Sequence, residues 1–142
     1  MYLYMDKLSY KIKIMKKDRR KTMLERQETG DWCEVKKRCL IVHIGKELDH
    51  HNAISLKERT DRYIEKENVK HIIFDFSNAE FMDSSGIGVI MGRYKKVIFT
   101  GGKVYVARVG KAVDRIFQIS GLYKIIEKKA TVEEALIDGK KC

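Results

Sequence analysis

The residues of this chain best suited to chemistry stand in two short clusters. One is Phe81-Met82-Asp83-Ser84-Ser85-Gly86-Ile87-Gly88, where two hydroxyls follow a carboxylate. The other is Glu47-Leu48-Asp49-His50-His51, where an acid precedes two imidazoles. A hydroxyl at the start of a helix can serve as a plain N-cap. It can also sit exposed where backbone N–H groups hold a phosphate, and spacing alone allows both. Gly88 and Gly92 likewise suit close helix packing. A hydrolase is excluded by pattern, because Met82 and Asp83 stand where a Gly-x-Ser-x-Gly elbow needs its first glycine. A Gly-x-x-x-x-Gly-Lys phosphate loop is also missing. Asp49 with His50 and His51 makes a poor metal site, since adjacent residues on a helix point about 100° apart. No metal and no cofactor is expected.

The elements that must carry these clusters follow from hydrophobic spacing. Cys33–Lys36 and Leu40–Ile44 read as short strands around the polar Lys36-Lys37-Arg38 turn. Asp49 reads as an N-cap, followed by Ala53, Leu56, Thr60, Tyr63 and Ile64 at helical intervals. Val69–Phe76 is nearly continuous in apolar residues, as in a strand covered on both faces. After the segment 77–83, Ile87, Ile90, Met91, Tyr94, Val97 and Ile98 form a second helical stripe, which Gly101-Gly102 should end. Lys103–Ala107 is a strand, Ala112–Ser120 a helix stopped by Gly121, and Ile125-Ile126 a short edge strand. Thr131-Val132-Glu133-Glu134 is a capping box for a last helix, closed at Gly139. This alternation predicts an α/β fold with a mainly parallel mixed sheet of about five strands and four main helices, opened by an antiparallel pair. In open sheets of this kind, sites gather where strand ends meet helix starts, which is where both clusters fall.

The 142 residues fit one domain. With 44% hydrophobic and 35% charged residues, neither a disordered chain nor a membrane protein is expected. The formal charge of +10 points first to nucleic acid, but its distribution argues otherwise. Residues 1–22 hold eight lysines and arginines against two aspartates, leaving only +4 on the remaining 120. Residues 1–30 therefore read as a flexible basic leader and 31–142 as the domain. Arg19-Arg20-Lys21-Thr22-Met23 could be encoded by AGG-AGG-AAA-ACN-ATG, a ribosome-binding site six bases before a start codon. On that reading 1–22 are not part of the native protein; on the other they are a real basic tail. Cys33, Cys39 and Cys142 show no zinc-ligand spacing, and reduced thiols in a cytosol are the simplest expectation.

Asp83-Ser84-Ser85-Gly86-Ile87-Gly88-Val89-Ile90-Met91-Gly92-Arg93-Tyr94-Lys95 resembles the signature of the STAS domain family, the anti-sigma factor antagonists. Glu47–His51 and Ser120-Gly121-Leu122-Tyr123-Lys124-Ile125-Ile126 resemble its sporulation branch, which acts on sigma F. The likeness spans residues 32–139, with its motifs in the expected order. Lys46 departs from it, because the family usually has glycine before Glu-Leu-Asp.

The resemblance implies a partner switch rather than an enzyme. Such antagonists bind an anti-sigma factor that is also a serine kinase, and so release the sigma factor. The kinase phosphorylates the first serine of the motif, here Ser84, and a serine phosphatase reverses it. The implied partner-binding residues are Asp49, Asp83, Ser84, Ser85, Gly86, Ile87 and Gly88, in a cytoplasmic protein without direct nucleic-acid or membrane partners. The alternatives are a STAS regulator of a stress-response switch or transporter, and a basic nucleic-acid-binding protein.

Overall fold

A computed structural model describes residues 30–141. The possible start at Met23, the leader upstream of Gly30 and the thiol of Cys142 lie outside the described residues. The chain runs β1 (Trp32–Lys36), β2 (Cys39–His43), β3 (Glu47–Leu48), α1 (Ala53–Lys66), β4 (His71–Asp75), β5 (Phe81–Met82) and α2 (Ser84–Ile98). It continues with β6 (Val104–Ala107), α3 (Lys111–Ser120), a 3₁₀ turn (Leu122–Lys124), β7 (Glu127–Lys129) and α4 (Val132–Lys141).

The main sheet has the order β1-β2-β4-β6-β7. The β1–β2 pair is antiparallel and every other pair in the sheet is parallel. The expected α/β fold with a mainly parallel mixed sheet is the one observed. Lys37 and Arg38, both at positive φ (52° and 65°), form a two-residue hairpin loop whose twist matches that of the strands.

Alternation across the central strands builds two apolar layers. Leu40, Val42, Ile72, Phe74, Val104 and Val106 face α1, α2 and α3, joining Leu56, Ile90 and Phe117 in the larger core. Cys39, Ile41, Ile73, Tyr105 and Ala107 face the other way and meet Val132 and Ala135 of α4. The central strands are covered on both sides, which is why their sequences read as apolar runs.

Three expectations are corrected. Asp49 does not cap α1: its carboxylate accepts from the backbone N of His51 at 2.9 Å, closing a turn of its own, and the helix begins at Ala53 after Asn52. The last strand is Glu127–Lys129 rather than Ile125-Ile126, because Ile126 turns into the core while β7 pairs along Tyr105–Ala107. Gly139 does not stop α4, which runs on to Lys141; a Cβ there would come within 3.3 Å of Cys39 Sγ and of the His71 ring. It is a packing glycine that lets the helix lie on the sheet. Beyond what the sequence suggested, the segments 44–49 and 76–83 carry a parallel ladder of their own, with Glu47 opposite Phe81 and Leu48 opposite Met82.

Candidate functional site

That ladder brings the two sequence clusters together. His43 and Asp75 are register partners at the ends of β2 and β4. From there the two segments leave the sheet side by side. Lys46 O accepts from the N–H groups of Glu80 (2.8 Å) and Phe81 (3.3 Å), and Asp83 N donates to Leu48 O at 3.2 Å. At their roots, His43 places Nδ1 2.8 Å from Asp75 Oδ2 and Nε2 2.6 Å from Glu34 Oε2, with Trp32 stacked on its ring at 4.0 Å. This packing fixes the base from which both clusters rise.

At the top, Asp83 is the N-cap of α2, a role the sequence alone left open to Ser84 or Ser85. Its backbone is extended and its Oδ1 accepts from Ser85 N at 2.8 Å. Its Oδ2 lies 3.3 Å from His50 N and 3.6 Å from His50 Nδ1. One carboxylate thus joins the helix start to the neighbouring loop. Desolvation pushes the Asp83 carboxyl up, but the Ser85 and His50 hydrogen bonds outweigh it and hold it below the usual carboxylate range. Asp49 is likewise held low, with bonds from His51 and Asn52 N–H groups and the His51 ring outweighing desolvation. Asn52 locks this loop, donating from Nδ2 to Glu47 O at 2.6 Å and accepting from Asp49 N at 3.0 Å.

Ser84, the first residue of α2, is exposed, and its hydroxyl makes no hydrogen bond among the described residues. Ser85 is partly covered and its N–H is already engaged with the cap. Gly86 is buried: a Cβ there would overlap Met82 Cγ and come within 2.7 Å of its Sδ and 3.1 Å of Leu48 Cδ2. Only glycine lets α2 lie this close to the β3–β5 ladder. Ile87 packs against the core from its edge. Gly88 is the opposite of Gly86, exposed with nothing within 4 Å of where its Cβ would be. Ser84 and Gly88, four residues apart, lie on one helix face, which is therefore low and open.

The helix carrying this face is firmly seated. Arg93, 1% exposed, reaches Asp61 Oδ1 at 2.9 Å and Thr60 Oγ1 at 3.2 Å on α1. Burial holds the Arg93 guanidinium below its usual range, and Asp61 offsets this only in part. Three features were not singled out from sequence. Phe81 is 50% exposed one strand residue and a cap before Ser84, and Ile54 is 69% exposed in the first turn of α1. An aromatic in a two-residue strand carries no periodicity to betray which way it faces. The other missed feature is the His50–Asp83 link, which joins residues 33 apart in sequence.

Asp49, His50 and His51 lie in a turn rather than on a helix, and the His50 and His51 rings are tilted by 37° with centroids 4.0 Å apart. Among the described residues no group of three His, Cys, Asp or Glu side chains is arranged to hold a metal ion. Nor is any helix among them long and apolar enough to cross a membrane. Cys33 and Cys39 are not joined in a disulfide.

Comparison with known proteins gives the same outline. The model of the STAS domain matches residues 33–135. The anti-sigma F factor antagonist of Paenibacillus polymyxa is 42% identical over 87 residues, covering 61% of this chain and 74% of that protein. Among solved structures, the anti-sigma factor antagonist SpoIIAA in its unphosphorylated form superposes with a TM-score of 0.63 at 27% identity, covering 76% of this chain and 96% of that one. The Bacillus cell fate determinant SpoIIAA in its phosphorylated form gives 0.62 at 29% identity, over 76% of this chain and 97% of that one.

Proposed function

The chain belongs to the STAS domain family, and from that premise we propose that it is an anti-sigma factor antagonist switched by phosphorylation of Ser84. In its unphosphorylated form it binds an anti-sigma factor that is also a serine kinase, and the held sigma factor is released. The likeness to the Paenibacillus anti-sigma F factor antagonist supports sigma F as that factor. The chain is a binding partner and a phosphoacceptor in the cytoplasm, not an enzyme. A serine phosphatase restores it.

The observation that carries this reading is the exposed, unengaged hydroxyl of Ser84 on a helix whose cap is a different residue. In the transfer step, Ser84 Oγ forms a bond to the γ-phosphorus of ATP as the bond to the β–γ bridging oxygen breaks. ADP leaves, and the hydroxyl proton passes to a base on the kinase. Because the Ser84 hydroxyl makes no bond among the described residues, its modification breaks none of theirs, and α2 keeps its Asp83 cap.

Binding is another matter. The face formed by Asp49, Asp83, Ser84, Ser85 and Gly88, shaped from beneath by Gly86 and Ile87 and flanked by Phe81, is uncharged at Ser84. Phosphate brings about −1.5 to −2 charge there, next to a carboxylate that is already ionised. Desolvating such an ion at an interface costs several kcal/mol, on the order of a whole binding energy's margin. Incubation with the kinase and ATP is expected to place one phosphate on Ser84, and Ser84→Ala to prevent it. Peptide mapping that finds the phosphate on Ser85 overturns the assignment.

A further inference from the structure

The phosphoacceptor has an unusual electrostatic setting for a helix start. The anion position at the head of α2 is already filled, since Asp83 takes Ser85 N with its side chain (2.8 Å) and Gly86 N with its carbonyl (3.0 Å). A phosphoryl group on the adjacent Ser84 finds these two donors occupied and a carboxylate beside it. The groups that meet Asp83 from across the ladder are the backbone N and the imidazole Nδ1 of His50, at 3.3 and 3.6 Å from the same oxygen. Behind that ring stands His51, 4.0 Å away centre to centre, with its own Nδ1 3.4 Å from Asp49 Oδ2. Asp83, His50, His51 and Asp49 thus form a line across the top of the site, with the two imidazoles between the two carboxylates. Among the described residues no lysine or arginine pairs with either aspartate. Lys46, at the foot of the ladder, is turned to Glu80 at 3.6 Å.

On this geometry, and resting on the reading of Ser84 as the phosphoacceptor, we infer that His50, backed by His51, is the counter-charge that receives the phosphoryl group. A protonated imidazole can donate from both nitrogens. It can therefore keep its contact with Asp83 while meeting a phosphate oxygen, or swing to the phosphate outright, being 70% exposed and unconfined. Phosphoserine loses its second proton near pH 6, and a cationic partner held at this position favours that loss. His50 is a positioning residue in this scheme: it touches the product of the switch and sets how much of its charge a partner meets.

The test uses the full chain with phosphoserine incorporated at position 84 during translation, so that it does not depend on any kinase. The phosphorus-31 shift is followed from pH 5 to 8.5 in this protein and in its His50→Gln, His51→Gln and His50→Lys forms. The phosphate midpoint is expected to rise by about half a pH unit or more in His50→Gln, less in His51→Gln, and to stay low in His50→Lys; an opposite charge in a close, buried pair shifts such a group by roughly 1–3 units. Superimposable curves for the parent and His50→Gln overturn the inference, as does a His50→Lys curve that matches His50→Gln. Kinase mapping that puts the phosphate elsewhere than Ser84 refutes the phosphoacceptor reading instead, and the two failures are distinguishable. Both histidines are exposed, so thermal melts of the variants should coincide with that of the parent.

Discussion

Two helices of this domain begin with the same physics and put it to different ends. At α4, Thr131 Oγ1 accepts from Glu134 N at 3.1 Å, and Glu134 reaches back to Ala130 N at 3.2 Å. Glu133 and Glu134 place two acids in the first turn, where the helix dipole favours them. That start is saturated. At α2 the cap is equally well made by Asp83, but the first turn has no acidic residue and exposes a bare serine instead. On the proposed reading of Ser84 as the phosphoacceptor, the contrast explains how a switch is accommodated without endangering the fold. The capping role and the modifiable hydroxyl are given to neighbouring residues, so one can change while the other holds.

The glycines draw the same line. Gly86 and Gly139 are buried where a Cβ would strike a neighbour, the first on Met82 and Leu48, the second on Cys39 and His71. The largest expected effect of the set is therefore Gly86→Ala. Overfilling a packed site costs about 1–3 kcal/mol, against a gain of roughly 0.5–1 kcal/mol for replacing a helical glycine. Met82 is only 1% exposed, so it has nowhere to swing. A melting temperature lower by several degrees is expected, with partner binding weakened because α2 is pushed off the ladder. A variant as stable as the parent would show that the ladder gives way easily.

Ser84→Asp should separate stability from binding in the other direction. The substitution breaks no bond among the described residues, and its melt should match the parent's. Binding to the anti-sigma factor, measured by calorimetry, should fall at least about tenfold, or 1.4 kcal/mol. Undiminished binding would remove Ser84 from the interface. Thr131→Ala supplies the counterpart at the saturated helix start. Losing that cap is expected to cost about 1 kcal/mol of stability, with the affinity for the partner unmoved. A binding loss there would mean that the α4 side of the sheet also takes part.

Much of this arrangement is readable from sequence because burial leaves a period. The apolar runs of β2, β4 and β6 and the stripes on α1, α2 and α3 give the layered order directly. The misreadings have local causes. Asp49 has the residue type of an N-cap, but the same carboxylate chemistry closes a turn on His51, and only the following backbone decides between them. Two-residue strands such as Glu47–Leu48 and Phe81–Met82 are too short to show alternation. Gly139 looks like a helix stop because glycine's permissiveness and its smallness write the same letter. At the site, the residue types were legible in Asp83-Ser84-Ser85-Gly86. That His50 sits against Asp83 was not, because the contact depends on the ladder's register.

The smallest expected effect is the sharpest test of the division between buried and open glycines. Gly88 lies on the same face as Ser84, exposed, with nothing within 4 Å of a Cβ built there. Within the isolated domain Gly88→Ala meets no obstacle and lowers the entropy of the unfolded chain, so a gain of about 0.5–1 kcal/mol in stability is expected. On the proposed docking, the added methyl stands on the helix face that meets the partner, and affinity should drop even as the melting temperature rises. Opposite signs in the two measurements are what a docking face requires and what a packing glycine cannot give. A variant that melts higher and binds as well as the parent would place the partner away from this face of α2, and would move the search for contacts toward Phe81 and Ile54.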